Sequence, residues 1–231
     1  MAVYVTGDVH GKFNRIWDFS KMYSTHRTDI MIILGDAAIN FAGGERDEII
    51  KRGLKNLRLQ LLCVHGNHEM RPESVGDYEE MEWHGGIVYV EPALPHLLFA
   101  KDSEIYDIAM QKCVAVGGAY SVDKFARLQR GWPWFADEQP SPEIKARVEQ
   151  RLAAEGCEVD FVFSHTCPLK YEPTETFIRG IDQSAVDKST EVWLDSIEER
   201  LTYERWYCAH YHTVKKVDRV RFLYENFRRI G

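Results

Sequence analysis

The sequence has no long apolar run, no paired cysteine spacing, no internal repeat and no low-complexity tract. Each absence removes a class of protein. A membrane-spanning helix needs about 20 consecutive apolar residues, and no stretch here approaches that. The five cysteines (Cys63, Cys113, Cys157, Cys167 and Cys208) are an odd number without a CxxC pair. That argues against a disulfide framework and fits the reduced thiols of a cytoplasmic protein. Basic charge is not in excess either. The formal net charge is −7 and the pI about 5.7, which argues against long nucleic acid as a partner while leaving room for a small basic pocket. The opening "MAVYVTGDVHG" has no basic start and reads directly as a strand, so no signal peptide is expected.

What is present is ordinary globular material: 231 residues, 45% hydrophobic and 28% charged. This composition predicts one soluble domain over residues 1–231, long enough to bury a full core. Val3-Tyr4-Val5 reads as a strand, and Phe13, Ile16, Trp17 and Ser20 carry helical spacing. Ile30 to Leu34 reads as the next strand. Ile49, Ile50, Leu54 and Leu57 then mark one helical face, and a third strand runs to Val64. This β-α-β-α-β rhythm predicts a mostly parallel central sheet. Residues 86–117 hold short strand-like pieces that read as antiparallel and as part of a second sheet or its edge. Ser141-Pro142 starts a helix with the stripe Ile144, Val148 and Leu152. Val159–Phe163 is another strand, and Trp193, Ile197 and Leu201 mark a late helix. A strand near Trp206–Ala209 and a terminal hairpin follow. Two long polar segments, 117–139 and 166–189, read as binding loops.

Five of these strands end on polar tips. The first ends "TGDVHG" with Asp8 and His10, the second "LGDAAIN" with Asp36 and Asn40, and the third "GNHE" with Asn67, His68 and Glu69. The strand at 159–163 ends "SHTCP" with His165, and the one near 206–209 ends "AHYH" with His210 and His212. In parallel sheets, ligand sites form outside the carboxyl ends of the strands. Any one tip alone is most simply a turn or a packed histidine. Five together point to a pair of divalent metals held by oxygen and imidazole, a donor set that suits Mn, Fe, Zn or Ni. Paired ions can clamp a phosphoryl group and acidify a shared water.

The set GD-x-HG, GD, GNHE, SH and H-x-H, running from Asp8 to His212, resembles the calcineurin-like metallophosphoesterases. The resemblance implies an α/β fold, a four-layer α/β/β/α sandwich of two mixed sheets with a dinuclear metal site at the carboxyl ends of the strands. It implies Asp8, His10, Asp36 and His212 as ligands of one ion and Asp36, Asn67, His165 and His210 as ligands of the other, Asp36 bridging. Two divalent ions, manganese foremost, are the cofactors so implied. The reaction implied is in-line attack on phosphorus by a metal-bridging hydroxide. His68 matches the family's general acid, to protonate the leaving oxygen or steady the phosphate.

One motif departs from the phosphoprotein-phosphatase branch, whose second tip reads GD-x-x-D-R-G. Here Ile39 stands where the second Asp would orient the histidine, no Arg follows, and Asn40 comes one position late. Lys124, Arg127 and Arg130, and further along Arg179, are candidates for the missing phosphate-binding cation, or else solvated charges. Trp132, Trp134 and Phe135 are candidates for an aromatic wall, or a cluster that pins its loop. His65 reads as structural, and His26, His84 and His96 fall outside the motifs. The expected activity is hydrolysis of a small or medium phosphate ester, with monoesters favoured by GD-x-HG. A phosphodiesterase or nuclease, and a non-catalytic scaffold of the same fold, stand as alternatives.

Overall fold

The structure is a computed structural model describing residues 1–230; Gly231, the last residue of the expected domain, lies outside the described residues. The apolar runs form strands β1 (Val3–Thr6), β2 (Ile30–Ile33) and β3 (Gln60–Cys63), linked by helices α1 (Asn14–Met22) and α2 (Glu45–Leu54). The middle of the chain gives β4 (Glu79–Trp83), β5 (Gly86–Val90), β6 (Leu97–Ala100), β7 (Ile105–Ile108) and β8 (Gln111–Val116). There follow α3 (Lys124–Arg130), α4 (Pro142–Ala154), β9 (Phe161–Ser164), α5 (Ser189–Glu198) and β10 (Arg205–Cys208). The chain closes with β11 (Lys215–Val217), β12 (Val220–Phe222) and β13 (Phe227–Ile230). Among the described residues no helix is long and apolar enough to cross a membrane.

The strands make two mixed sheets, in the orders β13-β1-β2-β3-β6-β5-β4 and β11-β12-β10-β9-β8-β7. Val5, Ile32, Leu62, Phe163 and Tyr207 belong to the core between the sheets. Ile16, Phe19 and Leu54 pack with Met31, Ile33 and Leu61 on the outer face of the first sheet. Ile144, Val148, Trp193 and Ile197 pack with Val162 and Trp206 on the outer face of the second. Alternation along each strand thus feeds two cores at once, which explains runs buried at every position, such as β2. Each such aliphatic side chain contributes about 1.5–3 kcal/mol on leaving water. The outcome is the α/β/β/α layering that the resemblance implied.

Two local expectations are corrected. The 86–117 pieces divide between the sheets: β6 runs parallel to β3 in the first, and β8 runs parallel to β9 in the second. The antiparallel reading holds for the pairs β5–β6 and β7–β8, and β5 is also antiparallel to β4. On α2, Ile49 is exposed, and the buried positions are Asp47, Lys51 and Leu54. That helix face is polar because Asp47 accepts from the N–H groups of Ala42 and Gly43, and Lys51 pairs with Glu91. Ser141 does cap α4, its Oγ accepting from Ile144 N–H at 3.3 Å.

Candidate metal centre and its cavity

All five polar tips follow parallel neighbours: β1, β2 and β3 in one sheet, β9 and β10 in the other. Sheet pairing therefore brings the tips to one end of the sandwich. The turns that carry them are tight. His10, Asp36, His210 and His212 all sit at positive φ, between 48° and 64°, a sparsely populated backbone for residues with a Cβ. Gly35 has φ +93°, and a Cβ there would lie 2.1 Å from His165 Nδ1. A Cβ on Gly66 would lie 2.1 Å from Asp36. These glycines let the tips of β2, β3 and β9 approach closely.

The donor atoms converge. His10 Nε2 and His212 Nε2 are 3.0 Å apart. Asp36 Oδ2 lies 3.9 Å from His10 Nδ1, and its Oδ1 lies 3.5 Å from His165 Nε2. His165 Nδ1 donates to the Leu34 carbonyl at 2.7 Å, which leaves Nε2 free as a lone-pair donor pointing into the site. Asn67 Oδ1 is 2.9 Å from that Nε2 and 3.1 Å from His210 Nδ1. The Asn67 amide is held by Ser121 Oγ, which accepts from Nδ2 at 2.9 Å. Asp8, His10 and His212 form one group able to hold an ion. Asp8, Asp36 and His165 form another, and His10, Asp36 and His68 a third. Asp8, His10 and Asp36 each belong to two of the three, so the groups form one continuous cluster.

The electrostatics call for positive charge. Both carboxylate oxygens of Asp8 are buried without a hydrogen-bond partner. Burial, with Asp36 beside it, pushes Asp8 well above the usual carboxylate range. Burial likewise lifts Asp36 to about 7. Burial and neighbouring cationic groups lower His10 to about 4, and burial lowers His165 to about 4, so both rings are neutral and available as ligands. Orphaned carboxylate oxygens facing neutral imidazoles fit divalent cations.

The sequence left several supporting residues unread. Glu69, the last letter of GNHE, is buried and staples two tips: its oxygens accept from Gly66 N–H at 2.9 Å and Ala38 N–H at 2.8 Å. Arg15 Nη2 donates to the carbonyls of Gly7 and Asp8, fixing the first tip. The ring of Phe41 stacks on that of His68 at 6.1 Å. Of the four candidate cations, the structure brings Arg127 to the site. Its Nη2 lies 2.6 and 2.7 Å from the ring nitrogens of His68, and its Nε pairs with Asp123 at 2.8 Å. Lys124 instead lies over Trp134 at 4.1 Å, and Arg130 over Trp132 at 4.7 Å. None of the four lines the cavity above the cluster, and Arg127 reaches the site only through His68. Ile39 is fully buried in the outer core, and Asn40 Oδ1 accepts from Tyr78, so neither touches His68. Trp132 is exposed, while Phe135 meets Phe41 edge-on at 6.1 Å. His65 is buried, its carbonyl accepting from Gly118 N–H. His96 bonds the Leu54 carbonyl, His84 bonds that of Asp107, and His26 is exposed.

A cavity of about 350 Å³ opens over His10, Asp36, Asn67, His68, His210 and His212. Tyr120 and Val122 form one wall; Phe177, Ile178, Ile181 and Val186, from the segment after β9, form the other. Glu172, Asp187 and Glu191 add acidic groups, and the one cation in the lining, Lys188, is paired with Glu172.

The calcineurin-like phosphoesterase family model matches residues 1–214, and the chain belongs to this family. Its members are hydrolases of phosphoesters that depend on a dinuclear metal centre. The crystal structure of TT1561 of Thermus thermophilus is similar in fold, with a TM-score of 0.50 at 12% identity, covering 100% of this chain and 98% of that one. No curated protein matches the chain.

Proposed function

We propose that the protein is a cytoplasmic phosphomonoesterase acting on a small or medium ester, with manganese in both metal positions. Asp8, His10, Asp36 and His212 would hold one ion, and Asp36, Asn67, His165 and His210 the other. When bound, the two ions supply Lewis-acid charge to the phosphoryl oxygens and acidify water. The chain's own residues do the rest. Asp36 spans both positions. Asn67, turned by Ser121, presents its oxygen rather than its amide. His68 borders the cavity and is assigned to the leaving oxygen. Burial, with Arg127 beside it, lowers His68 to about 2, so the ring is neutral in the free enzyme. A dianionic ester bound beside it adds the negative charge that draws a proton to the ring, which then passes it to the leaving oxygen.

The observation that supports this reading is Arg127 Nη2 at 2.6 Å from His68 Nε2, which puts a guanidinium against the ring that borders the cavity. A monoester dianion needs one more cation than a diester and carries one organic group, not two. The loop after β2 favours the diesterase instead, because Ile39 and Asn40 are committed to packing and to Tyr78. The test is hydrolysis of p-nitrophenyl phosphate and bis-p-nitrophenyl phosphate by metal-stripped protein with Mn²⁺ restored. Monoester turnover exceeding diester turnover supports the proposal; the reverse order replaces it with the diesterase.

A further inference from the structure

A second cavity, of about 430 Å³, lies at the sandwich edge where β13 of one sheet faces the β11–β12 hairpin of the other. Lys215, Lys216, Arg221, Arg228 and Arg229 line it, and no Asp or Glu does among the described residues. Strand register explains the clustering. Arg221 is the partner of both Tyr207 and Lys216, so these three share a face, and Tyr207 belongs to the inter-sheet core. Across the gap Arg228 is the partner of Val5, another residue of that core. The inter-sheet layer therefore ends here on cations from both sheets.

Four of these five cations lack counter-charges among the described residues. Lys215 pairs with Glu175, but Lys216, Arg228 and Arg229 make no salt bridge or side-chain hydrogen bond among the described residues. Arg221 donates only to the carbonyls of Asp218 and Val220. Burial, with Arg205 and Arg228 nearby, lowers the pKa of Arg221. The whole chain carries −7, so with these five cations set aside the rest carries −12. Uncompensated positive charge opposes folding unless something negative occupies the groove. Arginine forks match phosphate oxygens in pairs.

We propose that this groove binds a compact ligand bearing several linked phosphate groups. The volume is that of a small-molecule site. The acidic remainder of the surface repels an extended polyanion, which favours a short phosphate chain over a nucleic-acid strand.

The probe is sodium tripolyphosphate, titrated calorimetrically into the full-length Mn²⁺-loaded protein and into Asp36→Asn protein, whose metal centre is broken. Saturable binding that survives Asp36→Asn is expected. It should weaken about tenfold or more in Arg221→Ala/Arg228→Ala, and weaken again between about 50 and 200 mM salt. The double variant should melt no lower than the parent, because repulsion is relieved. If it melts lower, Arg228→Gln alone is to show the loss. Binding abolished by Asp36→Asn, or unchanged by the groove variants, overturns the proposal. So does a twelve-residue oligothymidylate that binds the groove more tightly than tripolyphosphate.

Discussion

Replacing Arg127 should damage catalysis far more than stability. Its guanidinium lies 2.6 and 2.7 Å from the His68 nitrogens and is itself buried. A charge-assisted hydrogen bond of this kind is worth about 1.5–3 kcal/mol. At about 1.4 kcal/mol per tenfold, Arg127→Ala should lower kcat by about 10- to 100-fold. Of its other partners, Asp123 is nearly half exposed (46%) and returns to water when the guanidinium goes, and the Pro133 carbonyl at 3.4 Å is a long contact. The stability lost with that pair stays within about 1 kcal/mol. Arg127→Lys separates charge from geometry: an ammonium keeps the positive charge near the phosphoryl group but has no planar fork to hold the ring. It should restore KM while leaving kcat depressed. The assay is steady-state hydrolysis of p-nitrophenyl phosphate at saturating Mn²⁺, with thermal melting as the control. A kcat for Arg127→Ala within twofold of the parent would mean that the guanidinium does not position His68 for catalysis.

Gly35→Ala drives a Cβ into His165 at a positive-φ position, so bound metal per chain, measured by plasma emission, should fall below the parent value. Glu69→Gln turns one of two acceptors into a donor facing Gly66 or Ala38 N–H, which should lower stability by about 1–3 kcal/mol in urea unfolding. Phe177→Ala removes a wall residue stacked on Tyr211 and should raise KM severalfold for aryl phosphates, read from saturation curves. The metal-free protein should lose stability as pH rises from about 7 to 8. Burial holds Asp36 at about 7 and Glu69 at about 8, so the folded state keeps protons that the unfolded chain has already released. The histidines of the site, pushed down by burial, are mostly neutral in both states across that window. Mn²⁺ should shrink the fall by removing the Asp36 part of it, as melting temperatures with and without chelator would show.

The tips were legible because each places polar residues directly after an apolar run, and sheet pairing needs only that pattern to gather them. The layering was legible for the same reason: β2 and β9, apolar at almost every position, can only lie between two layers. Other parts carry no such signal. In β4, Glu79, Glu80 and Glu82 hide an edge strand whose pairing is all backbone. In β13, Arg228 and Arg229 disguise the strand that flanks β1. Arg127 could not be told from Lys124 and Arg130 because they share one short helix. Which of them turns inward depends on how the loop after β8 folds back toward the tip of β3. Glu69 stood in plain view within GNHE, but its bond to Ala38 spans 31 residues and belongs to the tertiary fold alone.

A two-ion centre acting on phosphate monoesters is best tested by p-nitrophenyl phosphate turnover of stripped protein during stepwise addition of Mn²⁺, with bound metal counted at each step. Activity that climbs until two ions are bound per chain, and is lost in Asp36→Asn, is the predicted result. Full activity at one ion, or activity indifferent to Asp36, would contradict the account.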